Sequence, residues 1–217
     1  MRNMSRIWVA LVSVSLGVIL WTSSVRAVPL MIGETQFDEV GWVDWLVLGP
    51  GEYEGTDYEE IVLALVSGTF LNEYAYLYQI ESNQSNTDQL TVRPLGPWTE
   101  IGKLGLDLDN WHNLPGEKVA VPQKDLVEPS FIDRDPQAPS WNFLRTDIPG
   151  GKGVIGAGQE SWILYILSPM PPTFNKATLT NSGSSEKPLP VPSPEPTMSL
   201  LLIIGVAGLA IYRRRSS

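Results

Sequence analysis

The sequence predicts an all-β protein: an antiparallel β-sandwich ectodomain flanked by a signal peptide and a C-terminal single transmembrane helix. Three observations carry this. Apolar runs with two-residue alternation recur between clusters of Gly, Pro, Asn and Ser. The middle of the chain sustains no long stripe of helical period. Both ends hold uncharged apolar segments with arginines beside them.

The first element is the segment 1–27. Arg2 and Arg6 form a positive start, Ile7 to Leu20 is apolar, and Val25-Arg26-Ala27 supplies the small residues of a cleavage site. Cleavage is expected between Ala27 and Val28. The ectodomain follows over residues 28–180. Its expected strands include Val40 to Leu48, Glu73 to Ile80, Leu90 to Leu95 and Ser161 to Leu167. Asn83-Gln84-Ser85-Asn86 reads as the turn of a hairpin joining the second and third of these. Ser161 to Leu167 is apolar on both faces, which suits a strand between two layers. Ile61 to Val66 has strand character, with a short helix over Glu59 to Val66 as the secondary reading because Glu, Leu and Ala favour it. Between Asp107 and Ser140 five prolines interrupt the pattern, as in a functional loop or surface insertion.

Residues 181–196 read as a Pro/Ser-rich linker, with Pro188 to Pro196 an extended polyproline-type spacer. Residues 197–212 follow without a charge. As a helix they span about 24 Å, short of a hydrocarbon core of about 30 Å. The basic end 213–217, with Arg213, Arg214 and Arg215, is expected to stay on the cytoplasmic side.

Composition excludes several functions. The chain has 217 residues, no Cys and one His. Disulfides, thiolate metal sites, thiol nucleophiles and sites needing two imidazoles are therefore absent. Residues 28–212 hold 9 basic and 24 acidic residues, a net charge of −15. Such a surface repels phosphate backbones, so nucleic acid is not an expected partner.

Gly151-Lys152-Gly153-Val154-Ile155-Gly156 matches a dinucleotide fingerprint in letters only, because a strand and not a helix is expected after it. His112 has no nucleophile elbow to serve. The acidic pairs Glu59/Glu60, Asp107/Asp109 and Asp133/Asp135 are sequence neighbours, a poor arrangement for two carboxylates that must face each other across a glycosidic bond. No catalytic residue and no obligatory cofactor is expected. Asp107, Asp109, Asp133 and Asp135 are candidate calcium ligands, with oxygens two positions apart on loops but without a complete EF-hand pattern. Among the Trp residues, Trp111 and Trp141 flank the Pro-rich region and are the candidates for stacking on sugars; the others are expected in the core.

Val191-Pro192-Ser193-Pro194-Glu195-Pro196, then an apolar helix, then an arginine cluster, resembles a PEP-CTERM sorting tail. The resemblance covers about residues 190–217. Ser193-Pro194 separates the Val-Pro pair from Glu195, a departure from the commonest Val-Pro-Glu-Pro pattern. It implies an exported bacterial protein whose Pro194, Glu195 and Pro196, with Arg213 to Arg215, form the sorting motif read by an exosortase. It also implies the secretion machinery as partner and a membrane tether through the C-terminal helix before processing. The destination implied is the cell envelope, cell surface or extracellular matrix. Tyr76-Leu77-Tyr78-Gln79-Ile80 and Gly158-Gln159-Glu160-Ser161-Trp162-Ile163-Leu164-Tyr165 are similar to stretches of extracytoplasmic domains that precede such tails. Most of those have no assigned activity. The expected function is thus a non-enzymatic exported protein, the alternative being a carbohydrate-binding module of the cell surface or exopolysaccharide matrix.

Overall fold

The computed structural model describes residues 29–82, 86–106, 126–143, 154–181 and 183–194. They are mostly β. In chain order come β1 (Pro29–Phe37), β2 (Gly41–Leu48), β3 (Gly51–Glu52), α1 (Glu59–Leu65), β4 (Phe70–Leu71) and β5 (Tyr74–Ser82). Then follow β6 (Gln89–Val92), β7 (Glu100–Leu104), β8 (Leu126–Val127), β9 (Phe131–Asp133) and β10 (Ser140–Asn142). The last are β11 (Glu160–Ser161), β12 (Ile163–Ser168), β13 (Pro172–Thr180) and β14 (Ser184–Pro192).

The strands form a seven-stranded sheet, a five-stranded sheet and the small pair β3–β4. In the larger sheet β1, β2 and β5 lie side by side, and β12 pairs with both β5 and β7. The five-stranded sheet runs β14-β13-β6-β10-β9. Pairing is antiparallel except where β11 runs parallel to β8.

Alternation along β5 explains its central place. Tyr76, Tyr78 and Ile80 enter one apolar cluster, and Ala75 and Leu77 enter another. The first cluster draws on both large sheets: Val43, Trp45 and Leu164 from one, and Leu90, Trp141, Leu179, Leu189 and Val191 from the other. The second covers the opposite face of the seven-stranded sheet, where Ile61 and Val62 of α1 meet Leu46, Leu77, Ile163 and Tyr165. Seven residues are too few for a helix stable in isolation. Burial of Ile61 and Val62 and the acids Glu59 and Glu60 in the first turn hold it. The strand reading of Ile61 to Val66 is thereby replaced by the helical one.

Two further expectations are corrected. The segments Glu73 to Ile80 and Leu90 to Leu95 do not make a hairpin. β5 belongs to the larger sheet and β6 to the smaller, where β6 pairs with β13 and β10. The intervening chain crosses between sheets, and Thr87 bridges Ile155 instead of continuing a ladder with β5.

The linker assigned to 181–196 is largely a strand. β14 pairs with β13 from Thr180↔Ser184 to Pro172↔Pro192. Leu189 and Val191 are fully buried. The folded unit therefore extends at least twelve positions past the expected boundary at residue 180, to Pro192. The expected signal peptide and C-terminal helix lie outside the described residues. Among the described residues no helix is long and apolar enough to cross a membrane.

Candidate functional site

The site follows from how β14 accommodates its prolines. A proline has no N–H and is tolerated on an edge strand when its nitrogen faces away from the neighbour. Pro188, Pro190 and Pro192 are spaced by two, so all three turn the same backbone edge outward. Leu189 and Val191 between them point to the core. The outward carbonyls meet donors from elsewhere. Pro188 O accepts from Thr35 Oγ1 at 3.4 Å, Pro190 O from Tyr78 OH at 2.6 Å, and Pro192 O from the Leu95 and Gly96 amides at 2.9 and 3.0 Å. The edge therefore has no donor at the three prolines, and their carbonyls are occupied. It is blunted against pairing with another strand.

Past Pro192 the Ser193 amide donates to Pro171 O at 3.0 Å. Pro194 then stands exposed. It lies against Gly96, where an added Cβ would come within 3.2 Å of Pro194 Cδ and 3.1 Å of Met170 Cγ. Three segments meet at this exit: 95–97, 169–171 and 193–194. Ser168 Oγ donates to Pro97 O at 2.6 Å and Tyr76 OH to Met170 O at 2.7 Å, fixing the turn to the larger sheet. Burial pushes the Tyr76 and Tyr78 hydroxyls well above the ordinary tyrosine range, so both stay protonated donors at any physiological pH. Pro194 is the one member of the expected sorting motif that lies within the described residues; Glu195, Pro196, Arg213, Arg214 and Arg215 lie outside them, as do Ala27 and Val28.

Other sequence candidates fare differently. Trp141 is 0% exposed, so its expected role in stacking on a sugar is corrected. It sits in β10, donates Nε1–H to Gly102 O at 2.8 Å and stacks at a tilt on Tyr78 with centroids 6.0 Å apart. Trp111 lies outside the described residues. Asp135 Oδ1 accepts from the Gln137 amide at 2.8 Å, closing a local turn, and Asp133 ends the short strand β9. Among the described residues no group of three or more His, Asp or Glu converges on a common point. Asp107, Asp109 and His112 lie outside them.

Two polar clusters were not anticipated. On the larger sheet, Glu34, Asp44 and Gln79 share one cross-strand row, and Gln36, Trp42, Glu81 and Glu160 the next. Asp44, Gln79 and Glu160 are buried there, and Gln79 Nε2 donates to Ser161 O at 2.9 Å and to Glu160 Oε2 at 3.4 Å. Elsewhere, Glu73 and Glu100 line a cleft of about 240 Å³ with Thr99, Asn72 and Leu167. The hydroxyl of Thr99 donates to Glu73, and that of Tyr165 to Glu100 Oε1 at 2.6 Å. The cleft is smaller than a usual ligand cavity of about 300–1,000 Å³. Its two carboxylates serve as acceptors that tie β7 to β12 and to the start of β5. A carboxylate in an alternating strand was the only sequence signal for either cluster. It does not distinguish an internal row from a solvated face.

The chain matches no protein-family model, no curated protein and no solved structure.

Proposed function

We propose that this is an exported, non-enzymatic surface or extracellular-matrix protein, built on an antiparallel β-sandwich and sorted through a C-terminal PEP-CTERM tail. The sandwich reading is supported by the apolar cluster to which both large sheets contribute. The observation that carries the sorting reading is the exit of the chain. β14 holds the chain in the fold as far as Pro192, and Pro194 is handed out exposed at one end. The motif begins two residues past the end of β14, at an exposed proline, which suits a segment that a membrane enzyme has to reach.

Pro194 and Pro196 keep Glu195 out of helical backbone. Three arginines that stay charged resist passage through hydrocarbon, so the apolar segment before them is held in the membrane. Its shortness suits a temporary tether. The experiment compares wild type, Glu195→Ala and a deletion of Arg213 to Arg215 in a host with an exosortase. The expected result is a shortened wild type released from the inner membrane, with both variants full-length or degraded. Three full-length membrane proteins would make this an ordinary anchor.

A further inference from the structure

The chain enters and leaves the described fold at the same end. Pro29 pairs with Leu48, Leu48 with Ala75, Ala75 with Leu167 and Leu167 with Glu100, so Pro29 marks one end of the larger sheet. The Thr99 amide donates to Leu167 O at 2.9 Å, which brings the 95–97 turn to that end. The same turn holds Pro192 and packs on Pro194. Apolar side chains are exposed at that end. Leu95 is 56% exposed and Leu30 53%, with Pro97, Pro169 and Pro194 exposed as well. The meeting segments 95–97, 169–171 and 193–194 contain no charged residue, in a stretch 28–212 with 9 basic against 24 acidic residues. Charges flank these segments: Arg93 pairs with Glu186 at 3.4 Å, and the carboxylates of Glu73 and Glu100 accept hydroxyls from Thr99 and Tyr165.

We infer that this end is a lipid-contacting face, on which the folded domain stands against the bilayer while its tail is tethered. The inference rests on the tether reading above. Thr197, the first residue of the apolar segment, is three positions past Pro194, a reach of at most about 11 Å at 3.3–3.6 Å per residue. Interfacial side chains sit about 5–10 Å into the headgroup boundary, so the domain surface at Pro194 meets the headgroups. Charge decides which surface turns down. An anionic leaflet repels the acidic bulk of the domain, and the three charge-free prolyl segments are the part of it that faces the leaflet at least cost. Leu30, Leu95 and Met170 then lose contact with water.

The chain has no Cys, so single thiols introduce a label at chosen points. Full-length protein carrying Leu95→Cys, Asn181→Cys or Val206→Cys is labelled with a polarity-sensitive dye and reconstituted into vesicles of phosphatidylethanolamine and phosphatidylglycerol. Asn181 lies at the turn between β13 and β14, the opposite end of the domain. The expected result is severalfold stronger quenching by headgroup-depth nitroxide lipid at 95 than at 181, with deep-nitroxide quenching at 206. Quenching at 206 with position 95 as open to aqueous iodide as 181 would overturn the lipid-facing end and leave the tether intact. Shielding of 95 that follows protein density in the vesicles, not lipid quencher, would assign the face to a second copy and overturn it too. An unquenched 206 would remove the tether and the inference together.

Discussion

The two ends of the domain are held by different chemistry. At the tail-proximal end the ties are uncharged hydroxyl or amide donors on carbonyls: Tyr76 on Met170, Tyr78 on Pro190, Ser168 on Pro97, and two amides on Pro192. At the distal end, Lys187 Nζ lies 2.6 Å from Asp38 Oδ1, with the lysine side chain 35% and the aspartate 60% exposed. Ser185 also donates to Asp38. Around them Glu39, Asn181 and Ser184 line a shallow polar groove. The contrast teaches that an exposed ion pair makes the distal end sensitive to salt and acid, whereas the hydroxyl and amide ties to carbonyls at the end carrying the tail are insensitive to both.

The largest test of this comparison is removal of β14. A chain of residues 28–180, the expected ectodomain, lacks Leu189 and Val191, whose burial is worth about 3–6 kcal/mol together. It also uncovers the hydroxyls of Tyr76's neighbour Tyr78 and of Thr35. Circular dichroism melts should show a chain of residues 28–194 folding cooperatively and the 28–180 chain unfolded or melting far lower. Equal melting temperatures would mean that β14 is an appendage and that the tail-proximal end is not built as described.

Next comes Tyr76→Phe, which deletes one buried donor and leaves Met170 O unpaired. The expected loss is about 1–2 kcal/mol at neutral pH, unchanged by added salt. At alkaline pH the difference shrinks. A tyrosine held above its ordinary value of 10.0 by burial ionises first in the unfolded chain, so wild-type stability falls as pH rises through that value. Tyr53, pushed up to about 12 by burial, and Tyr165 add to the same fall. The gap between Tyr76→Phe and wild type should narrow above that pH in urea titrations; a gap of constant size would contradict the burial of the hydroxyl.

The smallest effect belongs to the distal end. Lys187→Met removes the partner that, with Ser185, holds the Asp38 carboxyl below its ordinary 3.8. A depressed carboxylate stabilises the fold above its unfolded value and ceases to as pH falls through the folded one. The variant should therefore melt slightly lower than wild type at neutral pH and low salt, with the difference vanishing under acid or high salt. A difference that persists in both would show a packing role for the lysine stem instead of an ion pair.

What could be read from the sequence followed its local periodicity. The alternation of Tyr74, Tyr76, Tyr78 and Ile80 and the two-faced run from Trp162 to Leu167 described real strands, because those patterns are set by burial along one strand. Partner choice is not a local property. The polar letters between β5 and β6 do not say which sheet the next strand joins, so Leu90 was matched to the wrong sheet. β14 failed for a different reason. Three prolines suggested a spacer because each removes a ladder donor, yet their spacing by two puts every missing donor on the edge away from β13. Leu189 and Val191 between them were the legible sign of a buried face. Trp141 was misjudged from its Pro-rich neighbourhood, although its indole N–H has a backbone acceptor in the core. The buried polar cluster of Asp44, Gln79 and Glu160, spread over two adjacent rows, had no signal beyond polar letters in apolar strands.

The most direct test of the sorting account is the intact mass of the protein recovered from outside the inner membrane, with both terminal peptides sequenced. The account predicts a chain that starts at Val28 and ends at or just beyond Pro194, keeping β14 whole and losing the apolar segment and arginines. A recovered chain that still ends at Ser217, or that is cut inside β14, would contradict it.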